Sequence, residues 1–106
     1  MIRAVYEKNG TEHTLSLQGH AGYAEMGEDI VCSGVSSIVF SLLGWLENKP
    51  EDIDTIDADV SSGDVHIYCD GGEKTAVAFE LVAIGLEQIS LKYPDHMAID
   101  IIGLSD

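Results

Sequence analysis

A chain of 106 residues, 45% of them hydrophobic and only two of them proline, is sized for one core and a single domain over residues 1–106. Five Lys plus Arg against nineteen Asp plus Glu give a net charge of −14, the wrong sign for displacing counterions from a phosphate backbone or for docking on anionic lipid, so direct nucleic-acid and membrane partners are disfavoured. High charge also marks disorder, but the dense apolar runs at residues 38–40 and 76–86 argue for a folded chain.

Residues 2–7 alternate as a strand, and Asn9-Gly10 tolerates the positive φ angles of a tight hairpin turn, so residues 13–19 read as the returning strand. Residues 19–28 show neither period, carry Gly19, Gly22 and Gly27, and read as an exposed loop. From Ile30 the apolar positions Val31, Val35, Ile38, Val39, Leu42, Leu43 and Leu46 recur at spacings of three and four, which predicts an amphipathic helix ending near Asn48 and stopped by Pro50.

Ile56, Ala58 and Val60 alternate with acids, residues 61–64 carry turn chemistry, and Val65, Ile67 and Cys69 alternate again, a second hairpin. Its outward Asp57, Asp59 and Asp64 read as a solvated acidic face, with recruitment of a basic ligand as the competing reading. Residues 75–93 predict a helix apolar almost all round, with Glu80 and Glu87 on one narrow polar edge; it needs cover on two sides, and a second subunit would supply one of them. Residues 97–104 read as a last strand. The order β-β-α-β-β-α-β predicts an α+β domain, a largely antiparallel sheet with two helices.

No secretory h-region opens the chain, no run reaches about 18 apolar residues, and two cysteines without C-x-x-C spacing fit reduced thiols, so a cytoplasmic protein is expected. His13, His66 and His96 lack ligand spacing, and nucleotide and serine-hydrolase motifs are missing, so neither metal nor cofactor is expected. Cys69, ending an alternating strand, reads as core.

The chemistry concentrates in residues 19–36. With Asp29 as cap, Cys32 falls in the first helical turn, where unpaired N–H groups and the positive end of the dipole favour a thiolate. His20 lies twelve positions upstream, and a looped connection can return its imidazole to the sulfur, giving the pair used in nucleophilic catalysis. The plain readings are a gap-filling Cys32 and a solvent-facing His20. Glu25, Glu28 and Asp29 oppose activation unless they orient a protonated histidine, and Asp29 fits either capping or orienting.

The Gly19-His20-Ala21 opening, the glycine before Glu28-Asp29, and the run Asp29-Ile30-Val31-Cys32 followed by Gly34-Val35-Ser36 resemble the signature of the ribosomal-processing cysteine proteases, the Prp family. The resemblance implies a homodimeric cysteine endopeptidase of the bacterial cytoplasm that removes an N-terminal extension from large-subunit ribosomal protein twenty-seven, after a pair of phenylalanines. It implies His20 as base, Cys32 as nucleophile and Asp29 as a supporting residue. Ser33 departs from the alanine frequent in the family. Under this reading residues 21–28 close over the peptide, Gly22 and Gly27 allowing movement and Tyr23 and Met26 contacting substrate. The competing readings are a catalytically silent acidic dimer that binds a basic ribosomal protein, and a redox sensor at Cys32.

Overall fold

A computed structural model describes residues 1–19, 26–48 and 50–104, the side chains of 26–29 and 50 excepted. Strands β1 (Ile2–Asn9) and β2 (Glu12–Gln18) form the first hairpin, turned at Gly10 with φ 63°. Helix α1 (Met26–Asn48) follows, then a single 3-10 turn at Pro50–Asp52, strands β3 (Ile53–Ser61) and β4 (Asp64–Gly71), helix α2 (Glu73–Lys92) and strand β5 (Met97–Ile102). The expected order and fold class hold.

The five strands lie in the order β3-β4-β2-β1-β5. Three of the four pairings are antiparallel and β1–β5 is parallel. The parallel pair follows from connectivity: β4 already runs parallel to β1, and a crossover through α2 brings β5 back in the same direction. Both helices cover the same sheet face. On that face Ile2, Ala4, Tyr6, Leu15, Leu17, Ile67 and Cys69 are buried, and they meet Val31, Val35, Val39 and Leu42 of α1 and Phe79, Ala83 and Leu86 of α2. By length and composition alone Ile30–Asn48 is apolar enough to cross a bilayer, although its unbroken apolar runs, such as residues 38–40, are short. Its apolar stripe is instead spent on this core.

The helices approach closely because each presents a glycine to an isoleucine of the other. A Cβ on Gly34 would stand 3.2 Å from Ile89 Cδ1, and one on Gly85 3.2 Å from Ile38 Cδ1. The start of α2 is capped from a distance. Gly72 at the cap position has no side chain to offer, so Asp52 accepts from Thr75 N–H at 2.6 Å and from the Thr75 hydroxyl at 2.7 Å. Those hydrogen bonds from Thr75 hold the Asp52 carboxyl below the usual carboxylate range.

The opposite sheet face is open. Alternation places Glu7, Glu12, Asp57, Asp59, Asp64 and Asp100 on it, all exposed, as expected for the acidic hairpin. Glu12 also accepts from the Tyr68 hydroxyl at 2.6 Å, and this bond is the main reason the phenol is pushed up to about 12.

The first helix begins earlier than its apolar pattern predicts. Met26, Gly27 and Glu28, assigned above to the loop, belong to α1, and Asp29 lies inside the helix and does not cap it. Residues 26–29 carry no apolar stripe, so periodicity is silent there. Glu28 and Asp29 nevertheless suit a first turn because carboxylates offset the positive end of the dipole.

Candidate active site

Cys32 is the seventh residue of α1, half-buried, on the wall of a groove of about 370 Å³. Val35, Ser36, Val39 and Phe40 continue the helical wall. The tip of the β3–β4 hairpin, residues 60–65, forms the opposite wall, and Ile2, Leu17 and Gly19 lie between. The hairpin tip is tied to the end of β2 by a hydrogen bond from Gly19 N–H to Gly63 C=O at 3.0 Å. Gly19 has φ 108°, and a Cβ there would run into the Met1 carbonyl, so only glycine fits this turn out of β2.

The earlier helix start changes the electrostatics expected of Cys32. The unpaired N–H groups belong to the first turn around Met26, and Cys32 stands about 9 Å further along the axis at 1.5 Å per residue. Its own N–H lies within the helical ladder. The expectation of a first-turn thiolate therefore does not apply to this sulfur.

The remaining expected site residues fall in two groups. His20, Gly22 and Tyr23 lie outside the described residues. Met26, Gly27 and Asp29 are described in their backbone alone, with Asp29 three residues before Cys32 on the same helix. Phe40 and the hairpin residues 60–65 were not anticipated as parts of the site. An exposed phenylalanine eight residues after Cys32 on one helix was the available signal; the hairpin, some thirty residues downstream, gave none.

Cys69 is a different kind of thiol. It is fully buried in β4 opposite His13, and burial pushes it up to about 11. His13, also buried, packs against both Tyr6 and Phe79, which also touch each other at 5.9 Å between ring centroids, and is hydrogen-bonded through Nδ1 to the Tyr6 hydroxyl at 2.8 Å. Burial lowers the His13 pKa and pushes Tyr6 up to about 12. Among the described residues no three potential metal ligands come together.

The chain matches the sequence model of the family described as "Cysteine protease Prp" over residues 1–98. A ribosomal processing cysteine protease Prp of Mycoplasma genitalium is 33% identical over 92 residues, which cover 87% of this chain and 91% of that protein. This chain belongs to the Prp family of cysteine proteases. Its namesake in Mycoplasma pneumoniae is 30% identical over 90 residues, 85% of this chain and 88% of that one. Among solved structures, a Streptococcus mutans protein superposes with a TM-score of 0.75 at 26% identity, covering 96% of this chain and 94% of that one. The essential ribosomal processing protease Prp of S. aureus, in complex with a covalently linked product peptide, superposes with a TM-score of 0.74. At 19% identity over 95% of this chain and 99% of that one, the latter likeness is one of fold. As a Prp-family enzyme, the chain is a cysteine protease, and a catalytically silent module is set aside.

Proposed function

We propose that this enzyme trims the N-terminal extension of large-subunit ribosomal protein twenty-seven, with Cys32 as nucleophile and His20 as base. One observation carries the reading. Of the two thiols, Cys32 alone reaches a groove, and Gly19, the residue immediately before His20, lines that same groove.

The chemistry is acyl transfer. His20 takes the thiol proton as the sulfur bonds to the scissile carbonyl carbon; the C–N bond then breaks, and the imidazolium returns the proton to the leaving amine. Water, deprotonated by His20, attacks the thioester and releases the new C-terminal carboxylate and the free thiol. Asp29 supports the pair from one turn before Cys32. Gly22, Tyr23, Met26 and Gly27 contact or admit the peptide. The acidic open sheet face attracts a basic ribosomal protein, an attraction that weakens with added salt.

The working unit is a homodimer in the cytoplasm. Support for the dimer comes from α2, whose outer face holds Val77, Ile84, Leu81 at 70% exposure and Leu91 at 69%. This is the second side of the helix that the sequence leaves in need of cover.

Mass spectrometry of the ribosomal precursor incubated with wild type, Cys32→Ser and His20→Ala tests the reading. The expected result is loss of the extension with wild type alone. Trimming by Cys32→Ser at the wild-type rate overturns it.

A further inference from the structure

The groove that holds Cys32 continues past it. Cys32, Ser36 and Phe40 follow one another at four-residue spacing on α1, and all three line it. Phe40 is 66% exposed although the adjacent Val39 and nearby Leu42 are buried. Across the groove stands Val60, 45% exposed, from a stretch of β3 whose apolar side, with Ile56, no helix covers. Two apolar side chains held in water on facing walls gain when an apolar group fills the space between them, at about 25 cal/mol per Å² removed from water.

The helix sets how far this slot is from the chemistry. Eight residues at 1.5 Å put the Phe40 backbone about 12 Å along the axis from that of Cys32. An extended peptide covers about 3.3 Å per residue, so the distance is three to four substrate residues. An apolar slot of this kind disfavours an acidic side chain, whose charge would lose its water there.

We infer that Phe40 and Val60 form a specificity subsite for a large apolar side chain of the substrate peptide, three or four residues from the bond that Cys32 attacks. The inference rests on Cys32 being the nucleophile. The occupant is the substrate itself, because a chain whose amide meets the thiol within this groove passes between the two side chains.

The experiment measures kcat/KM for peptides carrying Leu, Ala or Asp at each position from two to five residues on either side of the cleaved bond. Wild type, Phe40→Ala, Phe40→Leu and Cys32→Ala are compared, and the rate of Cys32 alkylation by iodoacetamide is followed in those that keep the thiol. In wild type, Leu is favoured over Ala by about 10- to 100-fold at a position three or four residues away, and Asp is worst. Phe40→Ala reduces the Leu preference at that position to about twofold, leaves preferences elsewhere and the alkylation rate unchanged, and Phe40→Leu restores most of it. A preference identical in wild type and Phe40→Ala, or a loss spread evenly over every peptide, overturns the subsite. Cleavage by Cys32→Ala at the wild-type rate overturns instead the assignment of the nucleophile.

Discussion

Cys69 is packed opposite His13 with its thiol pushed up to about 11, whereas Cys32 keeps part of its surface on a groove. Thiolate and access together govern alkylation, so iodoacetamide on the native protein is expected to label Cys32 alone, with Cys69 reacting only after denaturation. Peptide mapping by mass spectrometry reads the outcome, and native labelling of Cys69 would contradict its burial. His13 supplies a second test. Its folded pKa is lowered from 6.5, so the unfolded chain takes up a proton first as the solution is acidified. The stability it contributes is complete above the unfolded value and falls as pH drops from there through the folded one. Urea midpoints of wild type and His13→Gln measured from about pH 8 to about pH 5 should converge on the acid side.

At the scale of single elements, Gly44 lies in the interior of α1, and a Cβ added there would meet nothing within 4 Å. Gly44→Ala is therefore expected to stabilise by about 0.5–1 kcal/mol through helix propensity, read as a rise in Tm. Gly34 and Gly85 differ, since an added Cβ there meets an isoleucine of the facing helix at 3.2 Å. The cap on α2 predicts that Asp52→Asn lowers the urea midpoint at neutral pH. Because the folded pKa of Asp52 is lowered, that difference shrinks as pH falls below the ordinary 3.8.

Most elements were legible because their apolar periods are clean: Val31 to Leu46 at helical spacing, and Ile2 to Tyr6 and Val65 to Cys69 in alternation. The first turn of α1 was not, because residues 26–29 present no stripe to read. Of the proposed site, Cys32 at a groove after a glycine-marked connection was legible, and His20 lies outside the described residues. The groove's second wall was not, because it comes from the β3–β4 hairpin, and a pairing between distant segments leaves no trace in local periodicity.

For the molecule as a whole, the exposed apolar face of α2 predicts self-association that a buried charge would abolish. Leu81→Asp is expected to shift the species seen in analytical ultracentrifugation from dimer to monomer, with helix content unchanged by circular dichroism. Leu81 is 70% exposed in the single chain, so the fold itself loses little. A monomeric wild type at micromolar concentration would remove the support for a dimer. If the acidic face recruits substrate, added salt should raise KM for a basic precursor protein and leave kcat unchanged.

The parallel partnership of β1 and β5 pairs segments far apart in the chain, Ile2 with Met97 and Glu7 with Ile102. During synthesis the backbone groups along one edge of Ile2–Asn9 have no neighbour until Met97–Ile102 emerges from the ribosome. A nascent or prematurely terminated chain that lacks β5 thus carries an adhesive margin, open to pairing with other unfinished copies.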